Sequence, residues 1–176
     1  MKKCVFFDRD GIVNKRLPAR YVRTWDEFEF LPQFATVLSH VQKAGYAAII
    51  VTNQRGVALG LVAIAEVDGI HARLMQLLSD EYGLCLTDIL FCPHDEGECE
   101  CRKPKPGMLF KAARIHNITL SESWIIGDSE SDILAGRAAG CRTIYVGSDI
   151  LSVKPDLTAP DMNALQSLIV KALPIN

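Results

Sequence analysis

The sequence predicts an α/β fold in which a mostly parallel sheet carries helices on both faces. Two patterns and the chain length predict it. Short apolar runs beginning near residues 5, 47, 89, 124 and 143 alternate with stretches of helical periodicity. The notable polar residues (Asp8, Asp10, Thr52, Asn53, Cys92 and Asp128) all follow these runs, so they share one edge of the sheet. That edge, beyond the carboxyl ends of the strands, is where open α/β sheets gather ligands. A chain of 176 residues suits one domain, residues 1–176, with a proper core.

Val5, Phe6 and Phe7 are β-branched or aromatic and bounded by turn residues, and read as the first buried strand. An irregular segment from Asn14 to Leu31 follows, with Pro18, Arg16, Arg20 and Arg23. Phe34, Val37, Leu38 and Val41 then recur at helical spacing, and Gly45 is placed to cap that helix. Ala47–Val51 reads as the second strand and ends in Thr52-Asn53-Gln54-Arg55-Gly56. Val67, Ile70, Leu74, Leu77 and Leu78 mark a longer amphipathic helix closed near Gly83. Ile89–Phe91 is the third strand, Met108–His116 a helix after Pro106-Gly107, and Trp124–Ile126 the fourth strand. Ile133–Ala139 is a helix capped by Gly140, Thr143–Val146 the fifth strand, and Met162–Ala172 the final helix. No repeat or low-complexity tract interrupts this order, and crossovers between parallel strands are expected to be right-handed.

Hydrophobic content of 49% with 23% charge describes an ordinary soluble protein. A net charge of -2 argues against a nucleic-acid partner, which needs a basic face. The apolar run after Lys2-Lys3 is too short for a signal peptide, and none is long enough for a membrane span. A cytoplasmic location and a monomer are therefore expected. With no export signal, the six cysteines are not expected to form disulfides, and three of them crowd between Cys92 and Cys101.

The chemistry sits at the strand ends. Asp8-Arg9-Asp10-Gly11 places two carboxylates after the first strand, close enough to repel unless a cation bridges them or one keeps its proton. Alone it is an ordinary polar turn; the other strand ends raise its weight. Thr52 and its neighbouring N–H groups suit phosphate oxygens. Arg102-Lys103-Pro104-Lys105-Pro106-Gly107 sets three cations beside prolines, and such a rigid basic segment suits an anion. Asp128 is positioned to join Asp8 around Mg2+, while Asp132 reads as a partner for a helix dipole. Cys92, His94, Cys99 and Cys101 supply three thiolates and an imidazole within ten residues, the donor set of a closed structural Zn2+ site that orders the loop carrying Arg102 and Lys103. Cys4, Cys85 and Cys141 read as small core residues.

Together, Asp8-Arg9-Asp10-Gly11, Val51-Thr52-Asn53-Gln54, Cys92-Pro93-His94, Cys101 through Met108 and Gly127-Asp128 resemble the haloacid dehalogenase (HAD) superfamily. Within it they are similar to the zinc-containing heptose-bisphosphate and histidinol-phosphate phosphatases, over about Cys4 to Val146. The resemblance implies a Rossmann-like HAD fold, with Asp8 as nucleophile, Asp10 as general acid and base, and Thr52 and Lys103 on the phosphoryl group. It further implies Mg2+ on the Asp8 side chain, the Asp10 carbonyl and Asp128, with Asn53, Gln54, Arg55 and Arg102 touching substrate. No insertion is long enough for a large cap domain. Ser129 stands where the family often has lysine, Lys15–Val22 forms a longer basic loop, and Arg55 replaces a small serine. These departures leave the catalytic assignment intact and bear on which substrate is read.

The expectation is a phosphatase acting on a small phosphorylated sugar, D-glycero-D-manno-heptose 1,7-bisphosphate at its 7-phosphate, on the way to lipopolysaccharide core or another heptose glycoconjugate. Arg16, Arg20, Arg55 and Arg102 fit a second phosphate. Histidinol phosphate is the alternative within the class, and an inactive zinc-stabilised binding module is the alternative outside it.

Overall fold

The computed structural model describes residues 1–18 and 20–175; Ala19, within the basic loop, and Asn176 lie outside the described residues. Six parallel strands form one sheet: β1 (Cys4–Phe7), β2 (Ala47–Asn53), β3 (Asp88–Cys92), β4 (Trp124–Gly127), β5 (Arg142–Val146) and β6 (Leu157–Ala159). Their spatial order is β3-β2-β1-β4-β5-β6. Among the described residues, four α-helices connect strands, α1 (Pro32–Lys43), α2 (Ile64–Tyr82), α3 (Gly107–His116) and α4 (Glu130–Ala139), and a fifth, α5 (Met162–Ala172), follows β6. Among the described residues, no helix is long and apolar enough to cross a membrane.

The central strands β1 and β4 are apolar and buried along their whole length because both faces of the sheet are covered. Val5 and Phe7 point into one core with Val37, Leu38, Leu74 and Ile169 of α1, α2 and α5. Cys4 and Phe6, one residue out of phase, point into a second core with Met108, Ala112 and Ala135 of α3 and α4. This period of two, read across β1, divides the protein into its two layers. Phe7 meets Phe34 edge-on, with ring centroids 5.1 Å apart. Losing so buried a ring costs about 3–5 kcal/mol.

The chain runs outward from β1 to β2 and β3, then returns to pair β4 with the other side of β1. The strand order therefore reverses between β1 and β4, the crevice where such sheets bind ligands. Asp8 follows β1 and Asp128 follows β4, so the topology alone brings them together.

Two features differ from the sequence reading. β6 is a sixth, three-residue edge strand, fixed where Asp156 accepts hydrogen bonds from the Thr143 amide (2.8 Å) and hydroxyl (2.7 Å). Pro160 just beyond it and the polar Thr158 hide it from periodicity. Cys85 is not a core residue: it is exposed in the turn after α2, whereas Cys4 and Cys141 are buried.

Candidate active site

A cavity of about 420 Å³ opens at the β1/β4 crevice. Asp8, Asp10, Asn53, Gln54, Arg55, Arg102, Lys103 and Asp128, all singled out from sequence, lie on its wall. They come from four loops whose only common feature is that each follows a strand.

Lys103 is the centre of the polar network. Its ammonium group is almost fully buried and donates to Asp8 Oδ1 at 2.8 Å, the Val51 carbonyl at 2.7 Å and Asp132 Oδ1 at 2.5 Å. Three acceptors meet three N–H donors, so a buried cation is fully satisfied. Burial opposes the charge on Lys103, but Asp132 and Asp8 outweigh it and hold the group protonated. The Asn53 amide fixes the main chain here: its Nδ2 donates to the Lys103 carbonyl and its Oδ1 accepts from the Lys103 N–H, both at 3.0 Å.

Asp132 exceeds the role its sequence position suggested. It does close the α4 N-terminus, forming a capping box with Ser129. It is also fully buried, and its second oxygen accepts from the Ser129 hydroxyl at 2.6 Å and amide at 3.1 Å. Gly127 makes this approach possible, since a Cβ there would lie 2.2 Å from the Asp132 carboxyl carbon. Gly11 does the same for Asp128: it has φ +95°, and a Cβ would fall 2.1 Å from Asp128 Oδ2.

Asp10 is held differently. Arg9 Nη2 donates to both of its oxygens at 3.0 and 3.1 Å, Asn14 Nδ2 to Oδ1 at 3.0 Å and Gln54 Nε2 to Oδ2 at 3.1 Å. Burial alone would raise its pKa, but the Arg9 charge and these hydrogen bonds bring it below the usual carboxylate value. Asp8 goes the other way, to about 7, because burial and the charges of Asp132, Asp10 and Asp128 outweigh Lys103. Asp128 rises to about 6, chiefly through burial, despite Arg16 at 3.2 Å.

Arg9 was not visible as a site residue. An arginine between two aspartates in a turn reads as solvent-facing, yet only 1% of it is exposed. Its guanidinium lies 6.0 Å from the Phe28 ring centre and 3.5 Å from His71 Nε2. Buried beside that cation, His71 has its pKa lowered to about 3, so it stays neutral. Thr52 is buried and is not among the residues lining the cavity: its hydroxyl oxygen accepts from Gln54 Nε2 at 2.9 Å, which leaves its own proton available to donate. Arg55 and Arg16 are not free cations. Arg55 pairs with Asp95 at 2.6 Å, and Arg16 with Asp128.

Two groups of residues have the donors of metal sites. Oxygens of Asp8, Asp128 and Asp132 lie within 4.8 Å of one another, and burial is the main cause that raises the pKa values of Asp8 and Asp128, a cost to their charged forms that a bound cation would offset. Asp132 is already saturated by Lys103 and Ser129, which leaves Asp8 and Asp128 as the oxygen donors facing the cavity. The second group is Cys92, His94, Cys99 and Cys101, again within 4.8 Å. Its Sγ–Sγ distances of 3.0–3.4 Å are far longer than a disulfide and converge as a four-ligand set does.

A family model for HAD-hydrolase-like proteins matches residues 100–168. A D-glycero-β-D-manno-heptose-1,7-bisphosphate 7-phosphatase of Pseudomonas putida is 38% identical over 146 residues, 82% of each chain. The chain belongs to the heptose-bisphosphate phosphatase family of HAD-like hydrolases. A relative in Mycobacterium bovis, named for the α anomer, is 38% identical over 152 residues, covering 82% of this chain and 79% of its own. Among solved structures, the D,D-heptose 1,7-bisphosphate phosphatase of B. bronchiseptica, complexed with magnesium and phosphate, superposes with a TM-score of 0.84 at 29% identity. The match covers 97% of this chain and 99% of that one. A HAD-like phosphatase structure from Mesorhizobium loti gives a TM-score of 0.86 at 27% identity, covering 99% and 88%. Among the described residues no segment between the strands forms a large cap, and the cavity opens directly at the strand ends.

Proposed function

We propose that this protein removes the 7-phosphate of D-glycero-D-manno-heptose 1,7-bisphosphate through an aspartyl-phosphate on Asp8. The observation that carries this reading is the contrast between two carboxylates. Asp8 is fixed on the cavity wall by one ammonium group, whereas Asp10, two residues on, is held by three separate side chains. One is arranged to attack and the other to move protons.

An Asp8 oxygen bonds to phosphorus as the bond from phosphorus to the sugar oxygen breaks, and Asp10 gives that oxygen its proton. Asp10 then takes a proton from water, whose oxygen attacks phosphorus. The aspartyl–phosphate bond breaks, releasing inorganic phosphate and restoring the Asp8 carboxylate. Asp10 rests ionised, and the anionic phosphoryl group of the substrate raises its proton affinity, so proton uptake accompanies binding. The Lys103 ammonium N–H that Asp8 accepts in the free protein turns to a phosphoryl oxygen as Asp8 bonds to phosphorus, and the Thr52 hydroxyl donates beside it, where fixed donors do most of the work. Asp8, Asp128 and the Asp10 carbonyl are the groups assigned to Mg2+, which supplies charge neutralisation at the same oxygens when bound. Cys92, His94, Cys99 and Cys101 are assigned to a structural Zn2+.

Arg102 is the cation we assign to the second phosphate. It lines the cavity, and its nearest acceptors are distant: the His94 carbonyl at 3.5 Å and Glu96 at 3.8 Å. Residues 1–176 act as one catalytic domain, a cytoplasmic monomer. The test compares kcat/KM for heptose 1,7-bisphosphate and histidinol phosphate on one preparation. Preference for the bisphosphate is expected; preference for histidinol phosphate would move the protein to the other branch of its class.

A further inference from the structure

Arg55 is clamped from the side. Its Nη2 donates to Asp95 Oδ2 at 3.3 Å, and its buried Nε, which has no hydrogen-bond partner, lies 2.6 Å from Asp95 Oδ1, so the carboxylate sits as an ion pair along the edge of the guanidinium nearer the stem. The outer edge, formed by Nη1 and Nη2, makes no other hydrogen bond to a described residue, and Arg55 lines the catalytic cavity. An arginine gripped along one edge presents the other as a fixed fork, which matches a phosphate bidentately.

The clamp belongs to the Cys/His loop. Asp95 follows His94 directly; its Oδ1 also accepts from the Glu96 N–H at 2.6 Å and its own N–H donates to Glu98 Oε2 at 2.9 Å, so it is oriented by the turn between the metal-ligand candidates. The same turn meets Arg102 through the His94 carbonyl and Glu96. Arg55 follows β2 and Arg102 follows the loop after β3, yet residues 94–96 touch both.

We propose that Asp95 is a positioning residue that holds Arg55 as a preset fork for the second phosphate of the substrate, so that the Cys/His loop organises substrate recognition as well as local structure. This rests on the bisphosphate reading above. Because Asp95 already balances the Arg55 charge, recognition here is directional and does not depend on added positive field. Removing Asp95 then weakens binding even though it frees a cation.

A double-mutant cycle tests this with heptose 1,7-bisphosphate and heptose 7-phosphate as substrates, on protein whose metal content and melting temperature match wild type. Asp95→Ala should raise KM for the bisphosphate about 2- to 12-fold, the cost of immobilising one long side chain on binding, with kcat little changed. Arg55→Ala should raise it about 10- to 150-fold, as loss of a hydrogen bond between charged groups does. The double variant should match Arg55→Ala alone, and Asp95→Asn, which keeps one acceptor oxygen, should recover part of the loss. For the 7-phosphate, the Asp95→Ala change in KM should be smaller than for the bisphosphate. A fall in bisphosphate KM in Asp95→Ala, equal effects on both substrates, or additive effects in the double variant would each overturn the proposal. Should Asp95→Ala lose metal or melt early, the comparison is made with Asp95→Asn, whose unchanged bisphosphate KM would overturn it too. A wild-type protein that does not favour the bisphosphate would instead remove the functional reading, and this inference with it.

Discussion

Replacing Asp132 with asparagine tests the polar network that holds the catalytic lysine. Asp132 is bonded on both oxygens: by Lys103 on Oδ1, and by the Ser129 amide and hydroxyl on Oδ2. An asparagine must turn its NH2 toward one of them. Facing Lys103, it sets donor against a buried ammonium group. Facing Ser129, it sets donor against the main-chain N–H. Breaking one partner of a buried pair costs about 3–5 kcal/mol, and the retained Asp8 and Val51 contacts of Lys103 favour the low end, about 3 kcal/mol. For a chain of this size that is a fall of roughly 6–12 °C in melting temperature. The displaced ammonium should also lose much of its hold on the phosphoryl group, lowering kcat by about 10- to 150-fold if one charge-assisted hydrogen bond is lost. Thermal unfolding and steady-state phosphate release measure the two effects. A variant that melts within about 2 °C of wild type and turns over within about threefold of it would contradict this account of how Lys103 is held.

Three further outcomes are expected. Cys99→Ala should abolish binding of one Zn2+ per chain and lower stability and turnover together, because the same loop leads into Arg102 and Lys103; metal analysis finding no zinc in reduced wild-type protein would reject the site. Arg102→Ala should impair hydrolysis of a bisphosphate far more than of a monophosphate, and equal losses would show that Arg102 does not read the second phosphate. With EDTA present, stability should fall as pH rises from about 4 to 7, because the folded protein holds protons on Asp8 (to about 7) and Asp128 (to about 6) that the unfolded chain has released. Each tenfold gain in proton affinity on folding is worth about 1.4 kcal/mol at low pH, and that stabilisation is lost across this window. Magnesium should flatten the slope, and identical urea-denaturation profiles with EDTA and with Mg2+ would exclude a cation at these carboxylates.

The layers of the fold were legible because the sheet is buried on both sides: each run of Val, Ile and Phe has no other stable placement than a covered strand, and the glycines near 45, 83 and 140 end the helices where expected. β6 escaped notice because its three residues owe their place to Asp156 and Thr143, a contact between segments that no local pattern carries. The site residues were legible as types and less so as roles. Asp8, Asp10, Lys103 and Asp128 converge because strand ends converge. Arg9, Asp132 and Asp95 act through partners on other segments, and charged residues in turns ordinarily face water. Arg55 illustrates the remaining gap, since its charge was evident in the sequence but the carboxylate gripping it, forty residues away, was not.

The most direct test of the account is to identify the residue that takes the phosphoryl group. An activated aryl phosphate needs little protonation of its leaving group, so the Asp10→Asn protein should still phosphorylate Asp8. Hydrolysis of that adduct needs the missing base and should slow by about 10²–10⁴. Rapid quench followed by mass analysis should therefore find the adduct accumulated on Asp8, while Asp8→Asn protein forms none and has no turnover. Phosphate found on Asp10, or full steady-state activity in the Asp8→Asn protein, would contradict the account.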